Sequence, residues 1–335
     1  MSAGREQAVG GPPLLDVRVM QIAWRSPTIL AFELASLSGV PLPGFQAGAH
    51  ISVHLPVAGK PDRVRAYSLV NVDPANDTSD PQASYRIAVR RDEAGAGGSR
   101  QLHESVRPGD LLRISHPKND FPLECAHGVT LLAGGIGVTP IASMAAALRR
   151  RGASFDFFYA VRTRGEAILL AELESICGDG LRLHVDETAG HHLDVLPILR
   201  QGGPRPLYVC GPRAMIDAVA AAAEKLGWPS DAVRFELFGA DAGGEAHAGY
   251  DVVLKHSDRT LHVRPGASLL DTLIDEDVDL TYDCRAGFCG LCRVKVLEGE
   301  VVHRDTCLTE DERTERGTMQ ACVSHAAGAR LVLDL

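Results

Sequence analysis

The sequence predicts a multidomain chain of three units: a small antiparallel β-barrel, an α/β unit on a parallel sheet, and a short α+β unit. Three observations carry this. Short strand candidates separated by turn signals fill residues 14–120, apolar strands alternate with helical stretches over 121–238, and residues 250–335 open on a hairpin and a helix before a cysteine-rich loop. Gly239–Gly249 (GADAGGEAHAG) is a linker by composition, and 335 residues leave room for two or three domains.

In the first unit the strands are Leu14–Met20, Ile29–Leu34, His50–Leu55, Val64–Val70, Tyr85–Arg90 and Leu111–Ser115. Pro41–Gly44, Asp73–Pro74 and Pro108–Asp110 supply turns between them. Strands at this spacing fit a small barrel. In the second unit Val129–Ala133, Phe155–Val161, Arg182–Val185 and Leu207–Cys210 read as buried strands, with helices over Ile141–Arg150, Ala167–Ile176 and Ala214–Leu226. That alternation demands a parallel sheet. In the third, Tyr250–His256 and Thr260–Val263 form a hairpin around Ser257–Asp258, and Leu269–Ile274 opens a helix. No internal repeat is present.

The net charge of −9 excludes nucleic acid as the main partner. Residues 245–335 hold 17 Asp/Glu against 10 Lys/Arg, so most of the acidity lies in the third unit. It reads as a docking face for another protein or as a merely soluble surface. Met1–Pro13 is small and polar, with no secretory signal. Val129–Leu148 is long and nearly uncharged, but Gly134, Gly135, Gly137 and Pro140 make it a strand, a turn and a helix rather than a membrane span. The expectation is a cytoplasmic, monomeric protein without membrane contact. The eight cysteines then point to metal binding or buried thiols rather than disulfides.

Cys284, Cys289, Cys292 and Cys322 carry the strongest signal. Their spacing, C-x4-C-x2-C with a fourth cysteine downstream, is the plant-type [2Fe–2S] pattern. Gly287 and Gly290 let the backbone curl around a cluster, and Ala286 and Phe288 exclude water. Zinc ordinarily takes paired knuckles, which three ligands crowded into 284–292 suit poorly. Cys125, Cys177 and Cys307 fall outside the pattern and read as structural thiols.

Gly134–Pro140 (GGIGVTP) follows a strand and opens a helix, so a pyrophosphate can approach its backbone. It lacks the G-x-G-x-x-G fingerprint, and a tight structural turn is the other reading. Cys210-Gly211-Pro212 makes a second such turn. Both lie at carboxyl ends of parallel strands, where such sheets bind ligands. Asp186 ends another strand, where a carboxylate takes ribose hydroxyls and disfavours a 2′-phosphate; it also reads as a solvated strand end, and Arg162 and Arg164 act in the opposite sense. On the barrel, Arg65-Ala66-Tyr67-Ser68 ends a strand: Arg65 can hold a phosphate, Tyr67 can lie on a ring and Ser68 can bond a ring nitrogen. Gly97-Gly98-Ser99 offers backbone donors from a loop. Each is also an ordinary strand or loop when taken alone.

Taken together, in order from about Leu14 to Leu335, these motifs and Phe235–Gly239 (FELFG) resemble the ferredoxin–NADP+ reductase superfamily. In domain order the chain is most similar to the phthalate dioxygenase reductase family, which includes vanillate demethylase reductases. The resemblance implies an FMN-binding barrel, with FAD the alternative. It also implies an NADH-binding α/β domain, with NADPH the alternative, and a β-grasp-like ferredoxin domain carrying [2Fe–2S]. Arg65 and Gly97, Gly98 and Ser99 would hold the flavin phosphate; Ala66, Tyr67, Ser68, Ala88, Val89 and Arg90 would line the isoalloxazine; and Gly135, Ile136, Gly137, Val138 and Thr139 would meet the nucleotide with Cys210, Gly211 and Pro212. Arg90 stands where a lysine is common. Phe238 would pack beside the flavin, so Ser68, Cys210 and Phe238 are the residues expected nearest the chemistry. The implied activity is electron transfer from NADH through flavin and cluster to the separate Rieske-type oxygenase of an aromatic demethylase or ring hydroxylase. A diiron or P450 hydroxylase as acceptor, or a non-turnover redox sensor, are the other readings.

Overall fold

The structure, a computed structural model, describes residues 13–93, 97–124, 128–229, 231–238, 248–282, 287, 290–305 and 307–335. The first sheet holds β1 (Leu15–Ser26), β2 (Ile29–Ser36), β3 (His50–Val57), β4 (Lys60–Ser68), β5 (Ser84–Arg90) and β6 (Leu111–Ile114). It is antiparallel, in the order β4-β3-β6-β1-β2-β5. Alternation drives it: Val17 and Val19 of β1 are buried while Asp16 and Arg18 face out. The sheet curls toward closure where the chain leaves β4, because the Val70 N–H donates to Arg86 O of β5 at 2.8 Å. Between β5 and β6 lies α1 (Gly98–Ser105), so Gly97-Gly98-Ser99, expected as a loop, starts a helix.

The second sheet is parallel, in the order β11-β10-β7-β8-β9. Its elements are β7 (Val129–Gly134), α2 (Val138–Arg150), β8 (Phe155–Val161), α3 (Leu170–Cys177), β9 (Leu181–Val185), α4 (Asp186–Ala189), α5 (Val195–Gly202), β10 (Leu207–Cys210), α6 (Arg213–Lys225) and β11 (Val233–Glu236). α2 starts three residues before the expected Ile141. Pro140 falls in its first turn, where the missing N–H has no helical partner to lose. α3 starts later than the expected Ala167, because Leu169 adopts φ 59°, which a helix cannot contain. One apolar core joins Val70, Ala88 and Phe121 of the barrel side to Val129, Ile141 and Met144, so the first two units pack as one body.

The third unit holds β12 (Tyr250–Leu254), β13 (Arg259–Val263), α7 (Leu269–Asp275), β14 (Arg293–Glu298), β15 (Val301–Val302), α8 (Glu310–Thr314), β16 (Thr318–Gln320), β17 (His325–Ala326) and β18 (Arg330–Leu333). β12 ends before the expected His256, as the chain turns at Lys255. β18 lies between β12, to which it is parallel, and β14, to which it is antiparallel. Ser268 caps α7 by accepting from the Asp271 N–H, and Thr309 with Glu312 forms a capping box on α8. Among the described residues no helix is long and apolar enough to cross a membrane.

Candidate functional site

The nucleotide side is built from backbone. β7 and β10 are neighbours, and their carboxyl ends run into Gly134–Gly137 and Cys210–Pro212. A Cβ on Gly137 would lie 2.2 Å from Cys210 O, and one on Gly211 3.0 Å from the Gly134 Cα. Only glycine permits that approach. The Thr139 hydroxyl donates to Ile136 O at 3.1 Å and holds the turn. Val138, Thr139 and Cys210 are buried, whereas Gly135, Ile136, Gly211 and Pro212 reach the surface. The first three shape the turn and the last four present it.

The barrel side is built from side chains. Pairing of β4 with β3 sets Arg65 opposite Val53, Tyr67 opposite Ile51 and Ser68 opposite His50, so Arg65 and Tyr67 share one face while Ala66 and Ser68 share the other. Tyr67 packs on the barrel core, and burial pushes its phenol up, against a lowering by Arg65. Ser68 is buried, and its hydroxyl has no hydrogen-bond partner among the described residues. Leaving such a group unpaired costs about 1–3 kcal/mol, which a ligand atom at Ser68 removes. On β5, Val89 lies in the barrel core with its carbonyl 2.9 Å from His103 Nε2. Of the expected flavin edge over Ala88–Arg90, Ala88 packs toward the second unit and Arg90 is exposed. Gly135–Gly137 lie against β5, which brings the two sides together.

At the start of α1, Gly97 takes φ 85°. A Cβ on Gly98 would lie 2.6 Å from Arg65 Cγ, and one on Gly97 3.6 Å from Arg100 Nη2 and 3.7 Å from Arg63 Nη1. Arg63 is fixed by donating to Gln101 Oε1 at 2.9 Å. Three guanidinium groups around a helix start make a corner suited to a phosphate. The Ser99 hydroxyl accepts from the Asp92 N–H at 3.0 Å, so it also serves the loop.

Asp186 is the first residue of α4, straight after β9. Its carboxylate meets His192 Nδ1 at 2.7 Å and His184 Nε2 at 3.2 Å. Phe238, partly buried, packs against the core shared by the first two units.

In the third unit Cys292 and Cys322 are buried, and the Ala321 N–H donates to Cys292 O at 2.9 Å. Gly287 and Gly290 take φ 79° and 74°. A Cβ on Gly287 would lie 2.6 Å from Val323 Cγ2 and 3.1 Å from the Asp305 Cα, so this part of the loop admits no side chain. Cys284, Cys289, Ala286 and Phe288 lie outside the described residues, as do Cys125, Met1–Pro12 and 239–247 of the linker stretch. Cys177 is half-buried, and burial pushes its thiol up to about 12, against a lowering by Arg149, which suits an inert thiol. Contacts between described residues tie the third unit to the others. Arg65 Nη1 lies 4.0 Å from Asp271 Oδ1 on α7, and Arg213 Nη1 donates to Arg304 O at 3.3 Å.

Residues 252–327 match the 2Fe-2S iron-sulfur cluster binding domain. The chain is 41% identical over 329 residues to a tetrachlorobenzoquinone reductase of Sphingobium chlorophenolicum, covering 96% of this chain and 98% of the relative. It is 36% identical over 313 residues to the phthalate dioxygenase reductase of Burkholderia cepacia, covering 92% and 93%. The solved structure of a phthalate dioxygenase reductase, described as modular for electron transfer from pyridine nucleotides to [2Fe–2S], matches with a TM-score of 0.77 at 34% identity, covering 96% and 98%. The chain belongs to the phthalate dioxygenase reductase family.

This reductase carries site features that the motifs do not name. Arg63 and Arg100 join Arg65 in the arginine corner at the start of α1. Only strand alternation around Arg65 marks the first, since Arg63 lies two residues away on the same face. Glu236 ends β11 in register with Cys210. Burial, and then the charge of Asp120, push its carboxyl up to about 8, and its Oε2 has no partner among the described residues. An acidic residue inside FELF, two places before Phe238, is the signal that marks it. Asp305 is buried and accepts from the Leu308 N–H at 3.0 Å, the Ser324 hydroxyl at 3.2 Å and Arg313 Nη2 at 3.3 Å. Nothing in the sequence distinguishes it from the many exposed acids nearby.

Proposed function

We propose that this chain is the reductase component of a two-component oxygenase, moving electrons from NADH through FMN and a [2Fe–2S] cluster to a separate Rieske-type oxygenase. The units would be a flavin barrel over 14–120, a nucleotide domain over 121–238 and a ferredoxin domain over 250–335. One observation carries the reading: the Gly135–Gly137 turn, packed against Cys210 and Gly211, lies against β5 of the barrel at the boundary of two units, while Arg65 on β4 lies 4.0 Å from Asp271 of the third.

When bound, flavin and cluster supply the change from hydride to single-electron transfer. The residues of the chain bind and orient. Arg63, Arg65 and Arg100 hold the phosphate with the α1 start, and the Ser68 hydroxyl bonds the ring edge. The close-packed glycine turns would hold and orient the nicotinamide, an orientation effect. Glu236 keeps its proton at pH 7, so no buried negative charge stands at the end of β11 beside Cys210. Asp186, held by two histidines, takes the ribose hydroxyls and favours NADH over NADPH. Cys284, Cys289, Cys292 and Cys322 hold the cluster. The acceptor docks on the acidic ferredoxin face, where Leu291 is exposed beside Cys292.

The test is anaerobic visible and EPR spectroscopy before and after NADH, with identification of the released flavin. Flavin bleaching together with a rhombic low-temperature signal, and FMN in the extract, is the expected result. No flavin and no response to NADH would overturn the reading. The relative named for reducing tetrachlorobenzoquinone favours a second reading, direct reduction of a small quinone. Quinone reduction that survives Cys292→Ser would select it.

A further inference from the structure

We infer that Gln320 tunes the reduction potential of the cluster by donating its side-chain amide to the Cys292 sulfur. The inference rests on the reading of Cys292 as a cluster ligand. Gln320 is 0% exposed and ends β16. Its Oε1 accepts from Cys292 Sγ at 3.2 Å, while its Nε2 is buried with no hydrogen-bond partner among the described residues.

That arrangement suits a protonated thiol and fails for a ligand. A cysteine bound to iron is a thiolate, with no proton to give. Oε1 would then face sulfur lone pairs, while the amide N–H₂ stayed buried and unsatisfied, at a cost of the kind folded proteins avoid. Rotating the amide by half a turn lets Nε2 donate to the sulfur and pairs the buried donor; the atom then left without a partner among the described residues is the carbonyl oxygen, an orphan folded proteins tolerate more readily than an N–H. The two orientations of an amide are nearly isosteric, so the rotation needs no new space. The backbone around it is already fixed. Gln320 O accepts from the Ser324 N–H at 3.0 Å, and Arg293, the residue after Cys292, pairs with Gln320 across β14 and β16. Only the side-chain torsions turn.

The effect has a definite sign. The reduced cluster carries one more negative charge, part of it on sulfur, so a donor to that sulfur stabilises the reduced state more than the oxidised one. Gln320 therefore raises the potential of the couple and draws electrons off the flavin.

The test uses the cluster-loaded full chain and two readouts independent of turnover. Redox titration followed by EPR should show the reduction equilibrium of Gln320→Leu about tenfold less favourable than that of the natural chain, about 59 mV lower for a one-electron couple. Gln320 is the sole glutamine in residues 250–335. Pulsed EPR of the reduced natural chain grown with side-chain ¹⁵N-glutamine should therefore show a ¹⁵N coupling that this residue alone supplies, and this readout stands even if the variant loses its cluster. An unchanged potential in a variant with an intact cluster, or no ¹⁵N coupling in the natural chain, overturns the proposal. A reduced natural chain with no iron signal would instead defeat the cluster reading beneath it.

Discussion

The two ends of the proposed electron path are made differently. At the nicotinamide end the site is backbone against backbone: Gly134 and Gly137 touch Cys210 and Gly211 closely enough that no side chain fits between them. At the cluster end the Gly287 loop is also close-packed, but charged side chains add a second kind of support. Arg293 donates to Gly290 O at 3.0 Å and to Glu312 Oε1 at 2.6 Å, and Asp305 gathers Arg313, Ser324 and the Leu308 N–H. One end depends only on what is missing from the chain, the other also on charged groups that must find each other. The first is intolerant of any added atom, and the second is sensitive to lost charge.

Gly137→Ala is expected to have the largest effect. Its Cβ would meet Cys210 O at 2.2 Å, and that atom is backbone and cannot move aside. The expected loss is more than about 4 kcal/mol, and with it NADH-dependent flavin bleaching, checked by urea denaturation and by spectroscopy. An alanine tolerated here would break the comparison. Asp305→Ala should come next, at about 3 kcal/mol, because it removes the buried partner of Arg313. Its signature is selective: iron content falls while flavin content holds. Loss of both together would mean that the two ends are not separately supported.

Arg63→Ala sharpens the contrast within the flavin half. A phosphate corner of three arginines should lose about tenfold in FMN affinity, near 1.4 kcal/mol, measured by flavin fluorescence, with NADH affinity unchanged. Glu236→Gln should act gently at pH 5, and beyond that only through pH. The folded carboxyl keeps its proton up to about 8, whereas the unfolded chain releases it near its ordinary 4.5. Between those values the folded state binds more protons, so stability falls as pH rises, by at most about 1.4 kcal/mol per pH unit. The glutamine variant should lose that slope, seen as urea midpoints compared at pH 5 and pH 8.

Legibility in the sequence follows the same division. The turns at the sheet ends were readable because glycine at a strand end has few other uses, and the barrel strands because alternation survives in sequence. α1 was not, since a glycine pair reads as a loop until the arginines that surround it are seen in space. α5 and every strand after the cysteine loop are not legible either, being short and paired at long range, β18 with β12 above all. Among site residues, Val89 faces inward because the strand's pleat outweighs its place in a motif. Glu236, Asp305 and Gln320 draw their character from burial, which no spacing encodes.

The place of β18 has a consequence for how the molecule is made. The strand that joins β12 to β14 is drawn from Arg330–Leu333, far along the chain from Tyr250. While the chain is being synthesised at about 5–20 residues per second, the two N-terminal units can collapse early, but the third has no centre until Leu333 has cleared the ribosome. Cys292 and Cys322 thus wait in an unfinished sheet, exposed to oxidants and stray metals, for the seconds before it closes. On the proposed function, iron delivery has to be matched to the completed chain, and a starved or hurried cell would accumulate a form able to take electrons from pyridine nucleotide and unable to pass them on.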